Sequence, residues 1–187
     1  DLNDIRVIQR VGGVIDDSEL VDGVVFPRHF QRSSSDAKVI KDAKIALIQF
    51  QLSPPKTDME SQVILNDYAQ IDRVQREQRK YILQMVNAIA KTGANVILLQ
   101  KSVLRDAICD TALHFLHKKG ILVIKDIDRN EIDFVCRTIG CQPIASVEGL
   151  SPDKLGYAET VQEVATSGGA IVKITGLKKA SKTVSVL

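Results

Sequence analysis

The sequence predicts an α/β domain in which a central sheet is flanked by helices. Three observations predict it. Short β-type runs alternate with helix-period stretches between residues 45 and 147, the order that gives parallel strands joined by crossover helices. Glycines stand where those helices must stop, at Gly93, Gly120 and Gly140, because glycine reaches the left-handed C-cap conformation at little cost. One long helical stretch is polar all round over its first half, and such a helix projects into water or waits for a partner.

The elements follow in order. A strand at 45–52 (Ile-Ala-Leu-Ile-Gln-Phe-Gln-Leu) breaks at Ser53-Pro54-Pro55. A helix is expected over about 68–91, where Gln75-Arg76-Glu77-Gln78-Arg79-Lys80 has no apolar face and a buried stripe resumes only at Tyr81, with Ile82, Met85, Val86 and Ile89. A strand at 95–99 leads to a helix over about 103–119, capped by Ser102 and burying Leu104, Ala107, Ile108, Ala112, Phe115 and Leu116. A strand at 121–124 precedes Asp128-Arg129-Asn130-Glu131, which reads as a capping box opening a helix with Ile132, Val135, Cys136 and Ile139. A last strand is expected at 143–147, and the sheet as a whole is expected to be largely parallel. Both ends carry further β-type runs, at 5–8, 20–26, 170–174 and 183–186, which could pair with one another and bracket the α/β unit like the entry and exit strands of an inserted domain.

Composition excludes several classes. Charges nearly cancel over 187 residues, 25 basic against 23 acidic, so bulk electrostatics suggests no nucleic-acid partner. The segment 54–80 holds five basic and five acidic residues, which reads as a solvated face. No apolar run approaches the roughly 18 residues of a membrane span. The chain begins at Asp1, without Met or the regions of a signal peptide, and reads as a piece excised from a longer protein. Three cysteines, Cys109, Cys136 and Cys141, lack framework spacing and suit a reducing compartment. No redox pair is expected of Cys136 and Cys141, because the helix stop Gly140 lies between them. No metal site is expected, since Cys109, His114 and His117 lack the i, i+4 spacing of a helical pair. Neither Gly12-Gly13 nor Gly168-Gly169 sits in a phosphate-binding glycine motif, and no nucleophile–His–carboxylate set is legible.

Residues 42–150 also resemble a family. Asp42-Ala43-Lys44-Ile45-Ala46-Leu47, Lys56-Thr57-Asp58, Asp67-Tyr68-Ala69-Gln70 and Lys91-Thr92-Gly93-Ala94-Asn95-Val96 resemble the apical domain of group II chaperonins. Gln100-Lys101-Ser102-Val103-Leu104-Arg105-Asp106-Ala107, Ala112-Leu113-His114-Phe115-Leu116 and Ile124-Lys125-Asp126-Ile127 are most similar to the delta branch of the eukaryotic cytosolic chaperonin, TRiC or CCT. The order and spacing of these motifs carry the resemblance, which extends over essentially the whole chain.

The resemblance implies a chaperonin apical-domain fold over 24–169, with 53–80 as the helical protrusion that helps build a lid. It implies that 1–23 and 170–187 are flanks of the intermediate domain. It implies a chaperone of the cytoplasm, acting in a hetero-oligomeric double ring with other subunits on unfolded clients such as actin and tubulin. ATP and Mg would belong to the full-length subunit, with no cofactor and no catalysis in this segment. Client binding would fall on a groove between the helix 103–119 and the loop 27–36. The residues left for it are Arg105, Asp106, Cys109, Asp110, Leu113, His114 and His117 on the helix. From the loop come Arg28 and Phe30, the latter as an aromatic anchor. The alternative is a small doubly wound nucleotide-binding enzyme, for which Gln100-Lys101-Ser102 and Lys125-Asp126, after two strand ends, make no phosphate cradle.

Overall fold

The computed structural model describes residues 4–12, 14–31, 39–54, 68–103, 106–166, 168–177 and 183–187. The expected motif Lys56-Thr57-Asp58, most of the segment 53–67, and Leu104 and Arg105 lie outside the described residues.

A six-stranded sheet forms the body. Its strands are β3 (Gly23–Phe26), β4 (Val39–Ile48), β5 (Val96–Gln100), β6 (Leu122–Ile127), β7 (Gly156–Thr166) and β8 (Gly169–Leu177), in the order β3-β8-β7-β4-β5-β6. β4, β5 and β6 run parallel, whereas β7 is antiparallel to β4 and to β8, and β8 to β3. The sheet is therefore mixed, which corrects the largely parallel expectation. The difference comes from β7, which had no place among the expected elements. Gly168 lies in the turn of a β7–β8 hairpin pairing Thr166 with Gly169, and such a tight connection makes neighbouring strands antiparallel.

Alternation along the strands divides the core between two faces. Ile45, Leu47, Val96, Leu98, Leu122 and Ile124 join one cluster with Phe26, Phe30, Val161, Ile174 and the helix α3 (Ile132–Ile139). Ala46, Ile48, Ile97, Leu99 and Val123 join a second cluster under α1 (Tyr68–Lys91) and α2 (Asp110–Lys118). Side chains of successive strand residues point to opposite faces, so a sheet covered on both sides needs runs apolar at every position. Val96-Ile97-Leu98-Leu99 is such a run, and all four residues are fully buried.

A smaller sheet lies beside the first. β1 (Ile5–Val7) pairs parallel with β9 (Val184–Val186), and β2 (Leu20–Val21) pairs antiparallel with it. Ile8, Val21, Val25 and Ile171 form the cluster between the two sheets. Gly23 lies where the chain passes from β2 to β3. Its φ is +152°, and a Cβ there would stand 2.0 Å from the Ile174 carbonyl oxygen, so only glycine fits the crossing. Ser185 Oγ donates to the Gly23 carbonyl at 2.8 Å and ties β9 to the same point.

Three element boundaries differ from expectation. α2 starts at Asp110, not near 103, because the backbone before it is committed elsewhere. Leu52 N–H donates to Ala107 O at 2.8 Å, and Cys109 N–H donates to Leu52 O at 3.1 Å. These bonds hold 107–109 extended beside the exit of β4, and groups so paired are lost to a helix. The expected capping box is absent: Asp128 pairs with Arg28 and Glu131 with Arg6, so neither side chain caps. The strand expected at 143–147 reduces to one bridge, Ile144 to Ile48, followed by a 3-10 turn at Val147–Gly149.

Candidate client-binding surface

α2 stands over the edge of the sheet where β6 is the last strand. Ala112 and Leu116 are fully buried against the second cluster, and Ile108, Cys109, Leu113 and Phe115 pack against it partly buried. The period of three to four residues that aims these side chains inward turns the rest of the helix outward. Asp106, Asp110, His114, Lys118 and Lys119 are exposed. The His114 ring lies tilted against Phe115, with centroids 5.9 Å apart.

The loop after β3 runs alongside. Gln31 N–H donates to Val123 O at 2.8 Å, an antiparallel bridge on the free edge of β6. His117 Nε2 donates to the Gln31 carbonyl at 2.5 Å, so that nitrogen carries the proton. The Gln31 side chain meets His29 Nε2 at 3.0 Å. Further back, Arg28 pairs with Asp128 at 3.0 Å. The result is a shallow surface with α2 on one side and 28–31 on the other, stitched by His117.

Phe30 corrects an expectation. It is 2% exposed and belongs to the main core cluster, with its N–H donating to Glu163 Oε2 at 3.0 Å. It anchors the loop inward rather than presenting an aromatic side chain outward. The structure thus brings together Asp106, Cys109, Asp110, Leu113, His114 and His117 along α2 and its approach, with Arg28 at the root of the facing loop. Cys109 and Leu113 lie toward the core side of that face. Sequence reasoning missed Gln31, whose backbone joins loop, β6 and α2; a main-chain role leaves no signal in residue type.

The second candidate region is the start of α1. Residues 72–81 are all exposed, including Val74 at 37% and Tyr81 at 43%. Burial begins at Ile82, one residue later than expected, and continues with Met85, Val86 and Ile89. Two exposed i, i+4 pairs, Arg73–Glu77 at 3.3 Å and Arg76–Asp72 at 3.4 Å, lie along it and add only a few tenths of a kcal/mol each. At 1.5 Å per residue, the exposed stretch is about 15 Å long.

Among the described residues no group of three or more His, Cys, Asp and Glu could hold a metal ion, and no helix is long and apolar enough to cross a membrane.

The model of the TCP-1/cpn60 chaperonin family matches residues 1–187. The chain belongs to that family. It is 54% identical over 187 residues to T-complex protein 1 subunit delta of Schizosaccharomyces pombe, covering 100% of this chain and 36% of that protein. It is 53% identical to the protein of the same name in Takifugu rubripes and 52% to that in Homo sapiens, with 35% and 34% of those proteins covered. The chain thus spans about a third of the length of these curated relatives. Its fold is similar to that of an open-state monomer of a group II chaperonin from Methanococcoides burtonii, with a TM-score of 0.76 and 25% identity, over 100% of this chain and 38% of that one. These likenesses carry the chaperonin reading of the sequence. They do not favour the doubly wound nucleotide-binding enzyme.

Proposed function

We propose that this chaperonin segment is the apical, client-binding part of a delta-type subunit. It holds non-native polypeptide on the surface between α2 and residues 28–31. The observation that carries the reading is the outward face of α2. It mixes acidic, basic and imidazole groups, with the partly buried Cys109 and Leu113 at its margin, and a loop pinned to the helix by His117 and to β6 by Gln31. A partly folded client exposes apolar and charged groups together, and a face of this kind meets both without demanding one sequence. Electrostatic complementarity sets which segments dock more than how tightly.

The same reading assigns the remaining parts. Residues 53–80 contribute a lid segment whose packing partners are other subunits, which accounts for an exposed first half of α1. Residues 1–22 and 183–187, which carry the three-stranded sheet, are intermediate-domain flanks and that sheet is the junction with that domain; 170–177, expected with them, pair as β8 inside the body sheet. The whole protein would act in the cytoplasm within a hetero-oligomeric ring, with ATP and Mg bound outside this segment, on clients that include actin and tubulin.

The test is binding of a denatured, fluorophore-labelled client by the chain and by the variant Asp106→Lys/Asp110→Lys. Both positions are exposed, so the fold should survive, as circular dichroism would show. The reading expects a change of about tenfold or more in affinity, the size of losing two favourable charged contacts. Equal affinity in the two proteins would remove α2 from the binding surface.

A further inference from the structure

Two thiols separated in the sequence by a helix stop meet in the fold. α3 ends at Gly140, whose φ is +73° and whose N–H donates to Cys136 O at 2.9 Å. That bond is the αL helix stop, which commonly brings the residue after the glycine into contact with the last turn of the helix. Here the returning residue is Cys141 and the one beneath it is Cys136. The stop turns Cys141 back over the turn that carries Cys136, close enough that each thiol perturbs the other's ionisation, and both are unoxidised. Both join the core cluster of α3, but they differ in access: Cys141 is 4% exposed, whereas Cys136 is only partly buried. The stop expected to keep the two cysteines apart is what joins them.

We propose that Cys136 and Cys141 form a dithiol site that hydroperoxides oxidise to an intramolecular disulfide. Cys136 is the attacking group, because it is the more accessible of the two thiols. Its neighbour Cys141 lowers its pKa below the usual thiol range, against smaller opposing effects of burial and of the Asp133 carboxylate. Cys141 is held well above that range by its neighbour Cys136 and by burial. A thiolate is the nucleophile in such chemistry. Cys136 Sγ attacks one oxygen of the hydroperoxide, the O–O bond breaks, and the departing alkoxide takes up the proton that Cys136 lost. This leaves an alcohol and a Cys136 sulfenic acid. Cys141 Sγ then attacks the Cys136 sulfur, the S–O bond breaks, and hydroxide leaves as water with the Cys141 proton. Two thiols lose two electrons in all, and the peroxide is reduced to alcohol and water.

Cys109 supplies an internal control. It is partly buried on the other face of the sheet, in the cluster of α1 and α2. The experiment treats the chain with graded hydrogen peroxide, alkylates the remaining thiols and maps the peptides by mass spectrometry. The expected result is joint loss of Cys136 and Cys141 alkylation, with a reducible Cys136–Cys141 crosslink, at doses that leave Cys109 alkylated. In Cys141→Ala, Cys136 should instead be trapped as a sulfenic acid by a dione reagent. In Cys136→Ser, Cys141 should stay alkylatable after denaturation. Retention of both thiols at doses that consume Cys109 would overturn the proposal. So would over-oxidation of Cys136 without a crosslink. The wild-type map decides between these results even if a variant fails to fold.

Discussion

Arg6 joins the two sheets through a single side chain. It extends from β1, pairs with Glu131 before α3, and lies over the rings of Phe26 and Phe134, with centroids 5.5 and 6.0 Å away. Burial lowers its pKa, and Glu131 opposes that shift, yet a guanidinium stays charged across the ordinary pH range. Removing it strands a mostly buried carboxylate: the Glu131 side chain is 21% exposed and one of its oxygens already lacks a partner. Arg6→Ala should therefore destabilise the fold by about 2–3 kcal/mol, toward the lower end for breaking a buried pair, as read from denaturant midpoints. A loss under about 0.5 kcal/mol, the range of an ordinary surface change, would mean that the pair does not hold the sheets together. Residue type alone did not reveal this role, because Arg6 sits in a run, Ile5-Arg6-Val7-Ile8, that announces only a strand. Phe30 misled in the opposite direction. Its neighbours Arg28, His29, Gln31 and Arg32 make the loop look solvated, whereas a hydrophobic side chain in a polar loop is also the simplest anchor for it.

At the scale of the element, α1 carries two helices' worth of behaviour in one. The stretch 82–91 is fixed by Ile82, Met85, Val86 and Ile89 on the sheet, each contributing about 1.5–3 kcal/mol by burial. The stretch 72–81 is held by its own hydrogen bonds and exposed ion pairs. Hydrogen exchange should accordingly be fast at 72–80 and slow at 85–91, because local opening is cheap where few apolar contacts are broken. Ile89→Ala should cost about 2–5 kcal/mol and Val74→Ala less than about 0.5. Uniform protection along α1 would show that something else packs on its first half. This division was legible from the polar run before Ile82. The start of α2 was not, because what displaces it is the main-chain pairing of Leu52 with 107–109. β7 escaped for a different reason: Glu159, Thr160, Gln162 and Glu163 are spread through Gly156–Thr166, so the apolar alternation is diluted.

At the scale of the molecule, the architecture divides the proposed tasks. A rigid mixed sheet carries α2 and its loop on one edge, α1 leaves the body at its first half, and a small separate sheet gathers both ends of the chain. Strand–helix alternation was enough to read the sheet's parallel half, and the paired termini were also legible. The hairpin half was hidden with β7. The lid assignment predicts that deleting 55–78 from the full-length subunit leaves client capture intact but abolishes the ATP-dependent protease protection of the closed chamber. Unchanged protection would remove the lid role. The central claim, however, is the client surface, and photo-crosslinking tests it most directly. A photoreactive residue at His114, on the exposed face of α2, should crosslink a bound denatured client, while the same group at Asp133, exposed on α3 over the opposite face of the sheet, should not. Equal crosslinking at the two positions, or none at 114 while client remains bound, would contradict the account.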